Sequence, residues 1–437
     1  MKKNVFICLF AITCVAMMSC GGSSNKEQKG QGTLVALAQS DDSEGLIYID
    51  INGKRIISDP RFSRGERFSE GLAAVYDKET GNIGFIDIKG NLVIPCELPN
   101  SHSWVSFNEK EIREECLFHC GYARVGSADG CVLIDKKGRP VLGGFAPFDW
   151  DGDVAIVAKD DPRQLGLYTM DGKEILPVGS YSDMRFIGEG LLAAKDPKSG
   201  KWALMDKKGN LLKCDAEECQ GLDFPFDQVG KFVEGCALVM VDNDDVLLAI
   251  NKKGKVVKDF GESHDYMRTI LKHGLDTRPI WIDRVLYDKD FEEITPYKEE
   301  LKGYISEQCY SDGMAIVANG LDGDSKYGYL DERGDLAIPC NYIEVGHFNE
   351  GLAWVKDNDG WHVIDKKGNV KGTWNARTPY GDYAYQSQMG SFHSGHAVIE
   401  GKTLVDKDCN IIETHGITKI NGFHYSDDDN SRTSEDF

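Results

Sequence analysis

Six aspartates sit in one recurring setting, each shortly before a Gly: Asp87, Asp135, Asp171, Asp206, Asp331 and Asp365. A carboxylate can move a proton or hold a divalent cation. Catalysis needs one or two such groups, whereas these return along most of the chain. Repetition at that frequency is the pattern of a turn former, whose side chain accepts backbone N–H groups just downstream. Asp149-Trp150-Asp151-Gly152-Asp153 and Asp322-Gly323-Asp324 have calcium-loop character, but no distant Glu completes an EF-hand loop, so both read as turns. His393 and His396 lie three apart, and no histidine recurs. Gly401-Lys402-Thr403 has the residues that end a phosphate-binding loop, yet Gly395 is one residue too far upstream. No Gly-x-Ser-x-Gly or His-Glu-x-x-His is present. The expectation is a non-enzymatic chain with no catalytic residues, no cofactor and no metal.

The cysteines give no metal framework either. Cys116/Cys120 and Cys214/Cys219 are close pairs, but neither has a second pair at zinc-site spacing. Cys96 and Cys340 each follow Ile-Pro, and Cys236 and Cys409 fall in strand-like positions. These read as small packing residues with free thiols. Local disulfides remain the alternative for the close pairs.

The positions that must carry these groups come from an internal repeat. Phe68-Ser-Glu-Gly-Leu-Ala-Ala-Val75 returns as Phe186–Ala194, Phe232–Val239 and Phe348–Val355, with weaker copies at Cys120–Val125, Tyr310–Val317 and Phe392–Ile399. A second half follows each, as in Gly84-Phe-Ile-Asp-Ile-Lys-Gly90, Ala203-Leu-Met-Asp-Lys-Lys-Gly209 and Gly328-Tyr-Leu-Asp-Glu-Arg-Gly334. Leading glycines at 71, 121, 152, 190, 235, 313, 351 and 395 fall roughly 40 residues apart on average, and a degenerate unit fills the double gap around Trp281–Ile294. Leu-Ala-x-Val and Gly-Phe-Ile-Asp are short runs of strand formers, and Asp-Lys-Lys-Gly-Asn has hairpin-turn chemistry. Helical periodicity is absent, except that Asn108–His119 has the composition of a short exposed helix. The fold expected is all-β, an array of about nine or ten propeller-like repeats, with an open β-solenoid or two smaller arrays as alternatives.

The pattern Phe-x-Glu-Gly-Leu-Ala-x-Val, then Gly-Tyr/Phe-Ile-Asp-Lys-x-Gly, then Ile-Pro, resembles the WG-repeat family of bacterial proteins. The resemblance covers about residues 45–412. The Trp-Gly pair itself is degraded to Ile83-Gly84, Leu165-Gly166, Trp202-Ala203, Tyr327-Gly328 and Trp361-His362. The resemblance implies a β-repeat interaction scaffold without an assigned activity.

The longest departures from the repeat are Pro99–Cys116, Asp259–Pro279 and Gly372–Met389. Loops on a stacked scaffold carry function. Trp374, Arg377, Tyr380, Tyr383 and Tyr385 are therefore the candidate ligand-binding residues, for a protein or a glycan.

The N-terminus reads as an address. Lys2 and Lys3 precede an apolar run that ends at Met17-Met18-Ser19-Cys20-Gly21. The run is too short to span a bilayer, and Met17–Cys20 resembles a bacterial lipobox. The organisation expected is a lipoprotein signal peptide over 1–19, the lipidated Cys20 and a flexible stalk over 20–40, the repeat array over 41–420, and an acidic disordered tail over 421–437. The location expected is the bacterial outer membrane or cell surface, with an envelope protein or a glycan as partner. A formal charge of −21 argues against nucleic acid.

Overall fold

The computed structural model describes residues 33–426 apart from 42, 101–104, 108–109, 113–115, 128–129, 143–144, 159–163, 244–245, 263–278, 283–284, 297–309, 321–324 and 376–388. Among the described residues the secondary structure is β apart from one 3-10 turn, Glu217–Cys219. The strands form ten antiparallel blades and one small separate hairpin. A complete blade has four strands in sequence order. In blade 2 these are Phe62–Gly65, Leu72–Asp77, Ile83–Asp87 and Leu92–Leu98.

The repeat's strand chemistry follows from stacking. The second strand of blade 2 is buried almost throughout, so both of its faces need apolar side chains. Ala73 and Val75 pack toward blade 1, while Leu72, Ala74 and Tyr76 pack toward blade 3. This is why Leu-Ala-x-Val is continuous rather than alternating. The repeat's Phe anchors several of the joints. Phe68 meets Tyr48 of blade 1 with centroids 4.9 Å apart, and Phe118 meets Phe85 of blade 2 at 5.0 Å. Phe348 meets Tyr329 of blade 8 at 4.7 Å. The last strand is the exposed edge, as its pattern in Leu92–Leu98 shows.

Ten apolar clusters join the ten blades, one at each successive joint, and the tenth joins blade 10 to blade 1. The array is therefore a closed propeller-like ring, not an open solenoid or two arrays. Closure is made by the two ends of the chain. Blade 1 takes its second, third and fourth strands from Leu34–Ser40, Ser43–Asp50 and Arg55–Asp59. Its first strand comes from Ile417–Ile420 and His424–Tyr425, which pair with Leu34–Ser40. Val398 and Leu404 of blade 10 share a cluster with Ala36, Ile47 and Ile420 at this seam.

Two expectations are corrected. The array extends beyond 41–420 at both ends, because the seam needs Leu34–Ser40 and His424–Tyr425 as pairing strands. Asn108–His119 contains no helix among its described residues. Lys110–Ile112 pairs instead with Val105–Phe107 as a hairpin. A polar segment this short lacks the apolar face that holds a short helix.

Candidate binding face

Every blade turns the chain at two ends, and the two ends differ in chemistry. At one end lie the Glu-Gly turn between first and second strands and the Asp-Lys-Lys-Gly turn between third and fourth. Glu70 and Gly71 both have positive φ, 50° and 86°, as a type I′ hairpin requires. Glu in that conformation costs about 1 kcal/mol. The carboxylate offsets the cost by reaching the next blade. Glu70 accepts the Gly121 N–H at 2.9 Å and pairs with Lys136 at 3.1 Å. Glu189 accepts the Gly235 N–H at 2.9 Å and pairs with Lys252 at 2.5 Å. Asp312 does the same for Gly351 and Lys366, and Glu350 accepts the Gly395 N–H at 3.0 Å. At the seam no Glu-Gly turn exists, and the Ser426 carbonyl accepts the Gly71 N–H instead, at 2.7 Å. These clasps hold neighbouring turns side by side, so this end of the blades forms one face.

The Asp-Lys-Lys-Gly turns are built as the sequence implies. Asp365 Oδ1 accepts the N–H groups of Lys367 and Asn369 at 2.9 and 3.0 Å. Hydrogen bonds from Asn369 and Lys371 hold its carboxyl well below the usual range. Asp87, Asp135, Asp206 and Asp331 accept the corresponding pairs of N–H groups. Asp171 differs. Thr169 occupies the turn-forming position there and accepts the Lys173 N–H at 3.0 Å.

The clasp gives a direct prediction. Glu189→Ala removes a charge-assisted hydrogen bond and strands the Gly235 N–H, so it should cost about 2 kcal/mol. Lys252→Ala should cost less than about 1 kcal/mol, because that ammonium is half exposed. Urea midpoints of the two variants check the ranking.

The opposite end carries the hairpins between second and third strands and the crossovers to the next blade. It has no repeated turn motif. Pro99–Cys116, Asp259–Pro279 and Gly372–Met389 all link the last strand of one blade to the next blade, so all three depart from this face. Here the ends of the strands bring cations onto aromatic rings. The Arg64 guanidinium lies 3.9 Å from the Tyr76 centroid. Arg185 and Lys195 lie 4.8 and 5.4 Å from that of Trp202. Burial raises the Asp183 carboxyl and lowers Arg185, which donates to the Val229 carbonyl at 2.6 Å. Lys356 pairs with Glu344 at 2.5 Å and lies 5.6 Å from the Trp361 ring. Sequence reading missed these sets, because their members come from strands of no fixed motif.

Of the five expected ligand residues, only Trp374 lies among the described residues. It is not an open contact residue. It packs against the cluster of Trp354, Trp361, Met389 and Phe392 between blades 9 and 10. It lies opposite Trp361, as Leu98 lies opposite Ile83 and Tyr342 opposite Tyr327. The end of the last strand thus fills the joint to the next blade, and Trp374 fills it with an indole. Its Nε1 is buried without a hydrogen-bond partner among the described residues. Arg377, Tyr380, Tyr383, Tyr385, Cys20, the 1–19 leader and the segment 427–437 lie outside the described residues.

The other chemical candidates are absorbed by the frame. Asp149 accepts the Trp150 N–H at 2.9 Å, and Asp151 pairs with Lys207 at 3.0 Å. Asp322-Gly323-Asp324 lies outside the described residues. Lys402 pairs with Glu400 at 2.8 Å in a tight hairpin turn, not at a helix. His396 Nδ1 lies 2.8 Å from the Ser394 carbonyl, while His393 is mostly buried. Cys96, Cys116, Cys120, Cys214, Cys219, Cys236, Cys340 and Cys409 are free thiols, and Cys214 and Cys219 share a thiol hydrogen bond.

The seam holds a pH-sensitive group. His424 Nε2 accepts the Phe68 N–H at 2.9 Å, and burial lowers the imidazole to about 4. An unfolded imidazole titrates near 6.5, so the unfolded chain takes up the proton first as pH falls. The seam's contribution is full above about pH 6.5 and falls as pH drops toward 4, by roughly 3 kcal/mol in all. Burial shifts His393 in the same direction. His424→Gln keeps an acceptor without titrating, so its melting midpoint should fall less than the parent's between pH 7 and pH 5.

With this geometry in place, the comparisons give the lineage. The model of the WG containing repeat matches residues 48–78, 83–104 and 327–361. The chain carries WG repeats in these segments. No curated protein matches it. Among solved structures, this WG-repeat chain is similar to apo AztD from Citrobacter koseri, at 10% identity, with 90% of this chain and 99% of that one covered and a TM-score of 0.28. It is also similar to the dihydro-heme d1 dehydrogenase NirN in complex with DHE, at 13% identity, 90% and 75% coverage and a TM-score of 0.31. A third is the WD40 beta propeller domain of Doa1, at 12% identity, 53% and 83% coverage and a TM-score of 0.23. Likeness this distant carries no inference about activity or ligand.

The bulge in the last strand explains the repeat's glycine. Gly84, Gly166 and Gly328 lie opposite a break in register, where the last strand bulges at Ile-Pro or Leu-Pro. A Cβ at Gly84 would sit 2.7 Å from the Ile94 carbonyl oxygen. In blade 9 the register runs unbroken past His362, so a side chain fits there.

Proposed function

We propose that this WG-repeat protein is a membrane-tethered, non-enzymatic scaffold that binds an envelope protein through its loop face. The observation that carries this reading is the asymmetry of the ring. One face is held by repeated clasps, while the three longest departures from the repeat leave from the other. A rigid ring with variable loops on one side suits recognition, because binding residues concentrate on loops that a scaffold positions. Lys2-Lys3, the apolar run and Met17–Cys20 support a lipid tether at Cys20. A glycan is the alternative partner, carried by Tyr380, Tyr383 and Tyr385.

The test is capture from the native envelope extract with residues 31–437, beside a variant whose 376–388 segment is replaced by Gly-Ser linker. A stoichiometric protein captured by the parent and lost by the variant is the expected result. Retention of glycan with no protein would replace this reading with the alternative. Capture that is indifferent to loop replacement but lost on substituting Lys137 and Lys208 would move the binding site to the clasp face.

A further inference from the structure

The first and last described residues, Thr33 and Ser426, meet at the clasp face. Thr33 opens the second strand of blade 1 beside the Glu-Gly turn of blade 2, and it exchanges hydrogen bonds with Ser426. Ser426 in turn holds the Gly71 N–H. The segment leading back to Cys20 therefore enters the ring from the clasp face. Residues 21–32 separate Cys20 from Thr33 and are rich in Gly, Ser, Lys and Gln.

The clasp face also presents cations. Lys89, Lys137, Lys208, Lys253, Arg333 and Lys367 occupy the same turn position in blades 2, 3, 5, 6, 8 and 9, and all are exposed. The aspartates of five of these turns direct their carboxylates at their own backbone N–H groups, and Asn251 does so in blade 6. The outward groups at this position are thus ammonium and guanidinium, with an exposed Glu332 beside Arg333 in blade 8, on a chain of net charge −21. In blades 4, 7 and 10 the position is acidic: Asp171 accepts from the Thr169 hydroxyl, and Asp290 and Asp408 pair with the adjacent Lys289 and Lys407.

We infer that the clasp face is a membrane-facing surface. Its basic turn ends lie against anionic lipid headgroups, and the loop face points away from the bilayer toward its partner. This rests on the lipid-tether reading above. Lysines near an anionic membrane each add favourable electrostatic energy that falls off within a Debye length, so the entry of the chain at Thr33 and the six cationic turn ends favour the same orientation.

The test uses native lysines as reporters. Full-length lipidated protein is reconstituted in vesicles of phosphatidylethanolamine and phosphatidylglycerol, acetylated briefly, and read by peptide mass spectrometry against residues 31–437 in solution. Labelling should fall several-fold at Lys89, Lys137, Lys208, Lys253 and Lys367. It should stay unchanged at Lys78 and Lys198, which are exposed on loop-face hairpins. Protection of Lys78 and Lys198 instead, or equal labelling on both faces, overturns the orientation. Flotation with the vesicles, and its loss in Cys20→Ser, is scored separately. Failure to float brings down the tether reading, whereas flotation without the face-specific pattern brings down only this inference.

Discussion

Removing residues 417–437 should open the ring. The deletion takes away the first strand of blade 1, with Ile420 and Phe423 buried to 2% and 5% exposure. It also removes the acceptors of the Phe68 and Gly71 N–H groups. Loss of a buried Phe and a buried Ile, with two stranded donors, costs on the order of 5 kcal/mol or more. For a chain of this size that corresponds to a fall of about 5 °C or more in the melting midpoint. A second consequence is association. Leu34–Ser40 would become an unpaired edge with an apolar face, which is a template for pairing with another chain. Calorimetry with light scattering reads both effects. Deleting only 427–437 leaves the seam's hydrogen bonds in place and should leave the midpoint unmoved.

Substituting Ala for Gly328 should strongly destabilise the ring. Its Cβ would lie 2.3 Å from the Ile338 carbonyl oxygen and 2.7 Å from the Pro339 carbonyl carbon. Both are backbone atoms, so no side chain can rotate away. Relief requires the bulge to shift, which would disturb Ile338 in the joint between blades 8 and 9. The expected cost is about 3 kcal/mol. The converse change, Ala203→Gly, should cost only about 0.5–1 kcal/mol through chain entropy. In blade 5 the last strand pairs only through Leu211–Leu212 and has no Pro bulge to meet. Urea midpoints of both variants test this. Equal losses would remove the bulge as the reason for the glycine.

The all-β architecture and unit number were legible because both are local. Strand runs and Asp-Lys-Lys-Gly turns repeat in the sequence itself, and each unit needs neighbours on both sides. The turn role of the recurring aspartates was legible for the same reason, except at Thr169. Long-range pairings were not. Nothing near Leu34 signals that it pairs with Tyr425, and nothing near Glu189 signals that its carboxylate serves Gly235 in the next blade. Trp374 misled because an aromatic after a strand has two uses, contact or joint filler, and only its place opposite Trp361 decides. The cation–aromatic sets at Trp202 and Trp361 also escaped notice, since strand ends far apart in sequence build them.

The central feature of the molecule is a closed ring with two unlike faces. Hydrogen exchange of the intact chain, read by mass spectrometry on peptides covering 34–40 and 417–426, tests it most directly. Closure predicts that both peptides exchange as slowly as the inner strands Leu72–Asp77 and Leu352–Asp357, and that both open together under mild denaturant. Fast exchange at these two ends, with the rest of the blades protected, would mean an open array, and the two-faced ring would fall with it.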